Sequence, residues 1–361
     1  MAQDIPKFSK QWKVTAQSDK KSFDGLKLTE EPIPKLGDSQ VLVKLQGASL
    51  NFRDLIIPLG KYPFKTIPNV IAGSDGAGTV IAIGDQVKRF KPGDKVVTLF
   101  NQEHIGGPMT LQAAASGLGG AVDGTFRTVG AFNEQGLVRM PSCLSPLEAS
   151  TLPCAGLTAW NALYGLIDKQ LKPGDWVLTQ GTGGVSIFAL QFAKAAGARV
   201  VATTGSPDKI NALRKLGADY IINYKETPEW GAEARRLTGG EGFAHIIEVA
   251  GPKSMAQSLT AIKLDGLISI IGFVGGGSKS QPGFSDCLAN VCTVRGILVG
   301  SRVQMEAMCA AIEANPDKLR PVIDKKIFKL EQLKEAYEYQ FSGKHFGKVC
   351  IGIDQQPAQH L

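Results

Sequence analysis

Between a short apolar run, Trp176-Val-Leu-Thr-Gln180, and a nearly all-apolar stretch from Ser186 to Ala196 lies Gly181-Thr182-Gly183-Gly184-Val185-Ser186. Strand, glycine-rich turn, helix is the order that a pyrophosphate requires. Glycines let the backbone turn tightly and approach the phosphate oxygens, while the helix start offers unpaired amides and the positive end of its dipole. The spacing departs from GxGxxG at its last position, where Ser186 stands. Alone, such a loop is also an ordinary strand-to-helix turn. Within a repeating strand–helix pattern it reads as a dinucleotide site, with Gly181, Thr182, Gly183, Gly184 and Val185 as the cradle.

The end of the next strand discriminates between nucleotides. An acidic residue there hydrogen-bonds the ribose hydroxyls and repels a 2′-phosphate. This chain has Thr203-Thr204-Gly205-Ser206 followed by Lys209. Hydroxyls, a small glycine and a cation suit a phosphate dianion. Thr204, Ser206 and Lys209 are therefore candidate phosphate readers, and Tyr224 is a candidate to close the pocket, so the expected cofactor is NADPH. The alternative is that Ser206 only caps the following helix and Lys209 only faces water.

Other chemistries find no matching pattern. Six cysteines and four histidines are scattered without a CxxC pair or a Ser-His-Asp arrangement, so no metal site is expected. A formal net charge of +7 is spread along the chain, with no basic run interleaved with aromatics, so no nucleic-acid partner is expected. No apolar run has the length of a membrane span and the first ten residues lack an apolar core, which gives the expectation of a cytoplasmic protein with no membrane partner. The closing Gln359-His360-Leu361 is a poor match to a peroxisomal signal and is taken as chance.

The elements that must position these residues fall into stretches of different character. Up to about residue 155 the chain is β-rich: Gln40 to Ala48 alternates as a half-buried strand, and Gly76 to Val97 gives two more strands. The segment Ile105 to Gly124 reads as a glycine-rich surface loop. Two Lys-Pro-Gly-Asp sequences, at 91–94 and 172–175, predict type II turns. From Leu157 to Ser301 strands alternate with helices, at Trp176–Gln180, Arg199–Thr203, Tyr220–Asn223, His245–Val249, Leu267–Ile271 and Val294–Val299. That alternation predicts a doubly wound parallel sheet, and the fold class α/β. Beyond it come helices at Met305–Ala314 and Leu330–Phe341 and a last strand at Lys348–Ile353.

Taken together, Asn51-Phe-Arg-Asp54, Gly73-Ser-Asp-Gly-Ala-Gly78, Leu152 to Trp160, Gly181 to Ala196, Ile222-Asn-Tyr-Lys225 and His345-Phe-Gly-Lys348 resemble the medium-chain dehydrogenase/reductases, in particular their zinc-free quinone oxidoreductase-like group. The resemblance implies a GroES-like catalytic domain over 1–155, a Rossmann nucleotide-binding domain over 156–304, and a segment, 305–361, that returns to the first. It implies a nicotinamide in the cleft between them, lined by Thr158, Val274, Val299 and Ser301, with Lys348 at the cofactor phosphates. It also implies a homodimer. At the positions of the zinc ligands of the alcohol dehydrogenases stand Asn51, Ser74 and Cys154, and Phe100 to Arg127 holds no cysteine for a structural zinc.

Without a Lewis acid, a conjugated acceptor is easier to reduce than a simple carbonyl, because its charge spreads into an enolate or hydroquinone anion. The expectation is a small-molecule reductase of enones, enals or quinones. A zinc-free alcohol dehydrogenase or carbonyl reductase, or a cofactor-binding accessory protein, are the alternatives. Asn51, Arg53, Asp54 and Tyr62 are the candidate catalytic groups. Asn51 could donate to substrate or ribose, and Arg53 or Tyr62 could stabilise an oxyanion or supply a proton. Against that, Arg53–Asp54 could be an ion pair supporting its loop, and Tyr62 could simply pack beside Pro63.

Overall fold

A computed structural model describes residues 5–18, 22–277 and 281–353. The terminal Gln359-His360-Leu361 lies outside the described residues. The chain divides into two compact units. One runs up to Leu157 and takes in Val299–Pro316 and the chain from Arg320 onward; the other comprises Thr158–Leu298 and Asp317–Leu319.

The first unit is built on strands. β1 (Phe8–Val14) and β2 (Leu26–Pro32) form an antiparallel pair. A second sheet contains β3 (Gln40–Ser49), β4 (Asp75–Ile83), β5 (Lys95–Thr98), β6 (Val129–Asn133) and β7 (Leu137–Arg139). The alternation read in Gln40 to Ala48 forms β3, the strand on which this sheet is organised. β4 pairs along one edge of β3, and β6 along the N-terminal part of the other.

The second unit contributes β8 (Trp176–Gln180), β9 (Arg199–Thr204), β10 (Tyr220–Asn223), β11 (Phe243–Glu248), β12 (Ile262–Ile270) and β13 (Thr293–Gly296). All pair in parallel, in the order β10-β9-β8-β11-β12-β13. That is the Rossmann order, with its switch between β8 and β11, where such sheets bind ligands at the strands' carboxyl ends. Trp176, Val201, Phe243 and Ile268 belong to the core on this sheet. The helix Gly184–Ala195 buries Ser186 through Ala193, as an apolar circumference requires.

The chain then returns to the first unit, where β14 (Ile323–Lys329) pairs with β15 (Lys348–Gly352). β15 pairs antiparallel with the C-terminal end of β3. Leu26, Leu55, Phe126, Phe328 and Tyr337 share a core there, so the returning segment is part of this unit's interior.

Both Lys-Pro-Gly-Asp turns form: Gly93 and Gly174 take φ of 94° and 84°, and in each the aspartate amide donates to the lysine carbonyl. The segment Ile105 to Gly124 corrects the expectation of a surface loop. It contains a short helix, Leu111–Ala114, capped by Thr110, and Ser116 through Gly120 are buried. Glycine there permits close backbone approach: a Cβ on Gly119 would lie 2.5 Å from the Gly73 carbonyl oxygen. Among the described residues no helix is long and apolar enough to cross a membrane.

Candidate active site

The glycine-loop candidates and Thr204, Ser206, Lys209 and Tyr224 lie at the carboxyl ends of β8, β9 and β10. Gly181 has φ of 74°, a conformation that disfavours a side chain, and its amide donates to the Thr203 carbonyl at 2.8 Å. Gly183 is the N-cap of the helix Gly184–Ala195 and supplies no side-chain cap, so the amides around Gly184 and Val185 keep their donors for a ligand. No atom lies within 4 Å of a Cβ built on Gly181 or Gly183. This open space over a helix start fits a pyrophosphate.

Ser186, the departure from GxGxxG, has a visible role. Its hydroxyl donates to the Gln180 carbonyl at 2.6 Å and braces the turn from inside. The Gln180 amide in turn donates to Glu248 at 2.7 Å. Glu248 is fully buried and also accepts from the hydroxyls of Ser254 and Ser258 and the amides of Ala250 and Gly251. This clamp joins the ends of β8 and β11. The sequence gives no sign of it, because Glu248 sits in a run that reads only as a buried strand.

Thr204 ends β9, and its carbonyl accepts from the Tyr224 amide at 3.1 Å. The Tyr224 ring covers Gly205, where an added Cβ would meet Tyr224 Oη at 2.5 Å. Ser206 corrects one expectation: it holds the N-cap position before the turn Pro207–Lys209, but its hydroxyl makes no capping bond. Instead Thr204 Oγ1 accepts from the Ser206 amide at 3.1 Å. Lys209 closes that turn, half-buried. Thr158 is buried on the helix Leu157–Tyr164, and Val274 is exposed after β12. Val299 is buried with φ of 54°, an uncommon geometry for a β-branched residue. The Ser301 hydroxyl serves as the cap of the helix Arg302–Ala314, reciprocated by Gln304.

The catalytic candidates lie in the first unit, linked to one another. The short helix Phe52–Ile56 follows Asn51, and Asp54 accepts from the Asn51 amide at 2.8 Å to fix its start. Arg53 is held between the rings of Tyr62 and Phe100, each centroid 4.8 Å from its guanidinium carbon. Its Nε donates to Tyr62 Oη at 3.1 Å and an Nη to the Leu118 carbonyl at 2.6 Å. Asp54, 3.6 Å from that guanidinium, is pushed up to about 6 by burial, which outweighs the opposing pull of Arg53. The Arg53–Asp54 ion pair and Tyr62 are thus linked, and Tyr62 bonds Arg53 rather than only packing beside Pro63.

Asn51 is fixed at both ends. Its Nδ2 donates to Ser74 Oγ at 3.1 Å, and its Oδ1 accepts from Lys348 Nζ at 2.6 Å. Lys348, the candidate for the cofactor phosphates, lies buried among protein oxygens. It is 3% exposed, and its ammonium donates also to the Leu50 carbonyl at 2.6 Å and to Asp75 at 3.1 Å. Its three donors are thus matched by three protein oxygens. Asp75, which sequence reasoning did not single out, accepts as well from Ser49 Oγ at 2.7 Å and from the Cys154 amide at 3.0 Å.

This donor set does not fit zinc. An amide, a hydroxyl and one thiol replace two thiolates and an imidazole, burial pushes the Cys154 thiol far above its ordinary range, and an ammonium already binds the amide oxygen. Among the described residues no three His, Cys, Asp or Glu side chains gather as metal ligands.

Comparison with known proteins agrees with this architecture. Residues 37–142 match the model of the alcohol dehydrogenase GroES-like domain, and residues 184–314 that of the zinc-binding dehydrogenases. A zinc-type alcohol dehydrogenase-like protein of Schizosaccharomyces pombe is 47% identical over 337 residues, 92% of this chain and 96% of that protein. A chloroplastic quinone oxidoreductase of Triphysaria versicolor is 32% identical, over 91% of this chain and 94% of its own. The solved structure of an NAD-dependent alcohol dehydrogenase superposes with a TM-score of 0.84 at 30% identity, covering 96% of this chain and all of that one. GroES-like β unit, Rossmann sheet and open glycine cradle thus join these relatives in one conclusion: the chain belongs to the medium-chain dehydrogenase/reductase superfamily, as a nicotinamide-dinucleotide-dependent oxidoreductase of the alcohol dehydrogenase and quinone oxidoreductase type.

Proposed function

We propose that the protein is an NADPH-dependent, metal-independent reductase that delivers hydride to an activated acceptor such as an enone, an enal or a quinone. The observation that carries this reading is the Arg53–Tyr62 pair, in which side chains rather than a metal offer a donor and a positive charge for a developing negative charge. Tyr62 Oη accepts from Arg53 and keeps its own proton to give to an acceptor oxygen or enolate. Arg53, stacked between two rings, fixes that hydroxyl and supplies positive charge without moving. When bound, the nicotinamide supplies the hydride. The choice of NADPH rests on Thr204, Ser206, Lys209 and Tyr224, near the end of β9, where Thr203-Thr204-Gly205-Ser206 carries no carboxylate and the nearest acid, Asp208, lies in the turn that follows.

A second reading, reduction of a carbonyl itself, is favoured by the relatives that are named alcohol dehydrogenases. One substrate separates the two. Metal-stripped protein given NADPH and an α,β-unsaturated aldehyde should yield the saturated aldehyde; an allylic alcohol would reject ene-reduction in favour of the second reading. Replacing NADPH by NADH should slow the reaction, and equal rates would remove the case for a 2′-phosphate site. A homodimer is the proposed assembly, supported by the edge strand β13 and the exposed Phe284, Leu288 and Val291 leading into it. Light scattering of the purified protein tests it.

A further inference from the structure

Two half-buried cysteines, Cys287 and Cys292, flank the turn that leads into β13. The helix Ser285–Ala289 ends before Val291, which takes φ of 44°, the left-handed position that glycine ordinarily fills at a helix end. That reversal lets the Cys292 amide donate to the Cys287 carbonyl and the Val291 amide to the Leu288 carbonyl, each at 3.1 Å. In this kind of helix end, the side chains at the two ends of the longer bond meet. A backbone bond of that length holds the two Cα atoms within about 7 Å by standard bond lengths, the limit that a disulfide can span. The turn is also anchored. The Asp265 amide donates to the Val291 carbonyl at 2.6 Å, and Cys292 packs against the core that holds Trp176 and Phe243. Burial and the neighbouring Cys287 sulfur raise the Cys292 thiol above its ordinary range.

We propose that Cys287 and Cys292 form a reversible oxidation site, which a hydroperoxide closes to an intrachain disulfide that ties the end of this helix to the start of β13. Hydrogen peroxide is small enough to reach half-buried sulfur. Because the Cys292 thiol is held protonated, Cys287 attacks first. A sulfur–oxygen bond forms, the oxygen–oxygen bond breaks, and water leaves. Cys292 then attacks the Cys287 sulfenic sulfur: the sulfur–sulfur bond forms, the sulfur–oxygen bond breaks, and a second water leaves. Two thiols give up two electrons and two protons, and the peroxide takes both. A dithiol reverses the change by exchange. The step uses neither a nucleotide nor the Arg53–Tyr62 pair, so it is independent of the reductase activity.

The measurement uses the unaltered chain, freed of reductant, given stoichiometric hydrogen peroxide and then unfolded in an alkylating agent. Trypsin cuts after Lys279 and Arg295, so both cysteines fall in one peptide with no cleavage between them. Mass spectrometry should find that peptide lighter by two hydrogens and without alkyl groups, while Cys143, Cys154, Cys309 and Cys350 are alkylated. Dithiothreitol before alkylation should restore both alkyl groups. A doubly alkylated peptide after peroxide, or two copies of it joined to each other, would overturn the proposal. The order of attack is read with dimedone, which traps sulfenic acids. Cys287 in the Cys292→Ser protein should take more label than Cys292 in the Cys287→Ser protein, and the reverse would reject Cys287 as the first nucleophile.

Discussion

The glycine loop of the Rossmann unit and the Lys348–Asn51 centre of the first unit handle charge in opposite ways. The loop presents backbone: Gly181 and Gly183 keep space open, and the helix start after Gly183 offers amides, so the site waits for a ligand's negative charge. The centre presents side chains already matched to each other, with Lys348 on Asp75 and Arg53 beside Asp54. A site made of backbone tolerates change in the side chains around it but not added bulk. A buried network of side chains tolerates neither loss nor neutralisation of one member, because the partner is left charged and unpaired.

Four measurements test that contrast. The largest effect is expected at the centre: Lys348→Met leaves the Asp75 carboxylate buried alone and should lower unfolding stability by about 3–5 kcal/mol. Adding Asp75→Asn should recover part of the loss, and strictly additive losses in chemical denaturation would show that the two residues are not coupled. Next comes Gly183→Val, which fits the extended φ of −78° and the open space at that position. Its stability should be nearly unchanged while nucleotide affinity falls about 100-fold, about 2.8 kcal/mol. Calorimetry showing intact affinity would move the pyrophosphate elsewhere.

Lys209→Ala should weaken NADPH by about 1–3 kcal/mol and leave NADH almost unaffected. Equal losses for both nucleotides would end the assignment of Lys209 to the 2′-phosphate.

The smallest effects are opposed pH slopes. Asp54 titrates at about 6 in the folded chain, above its ordinary 3.8, so it adds stability as pH falls from about 6 towards 4. His245, fully enclosed in β11, is pushed down to about 4 by burial, below its ordinary 6.5. Its contribution is complete above 6.5 and is lost as pH falls towards 4. Urea denaturation at pH 7.5 and 5 should show the advantage of wild type over Asp54→Asn growing with acid, and its advantage over His245→Asn shrinking. The same sign for both would contradict these burial effects.

The two regions were also unequally legible. Trp176–Gln180 and Tyr220–Asn223 are strands with the bounds read from pattern alone, and the glycine loop and both type II turns lie where their spacing places them. β1, β2, β6, β7 and β14 are not marked by the sequence pattern; in β1, β2 and β14 charged residues interrupt the apolar alternation. Asn51, Arg53, Asp54 and Tyr62 were legible as candidates within a dozen residues, yet their bonds to Leu118, Ser74 and Lys348 were not. Ser206 marks the limit even at short range, since its type is that of a cap but its hydroxyl is not used as one.

Legible from residue order alone are local features: hydrophobic period, turn residues and a run of glycines, all set by steric rules acting within a few residues. Where Lys348 places its charge is fixed by long-range packing. It meets Leu50, Asn51 and Asp75 across 298, 297 and 273 residues, brought there by the pairing of β15 with β3. A lysine's destination depends on which buried oxygens lack a donor, and that is a property of the packed molecule rather than of any stretch of chain.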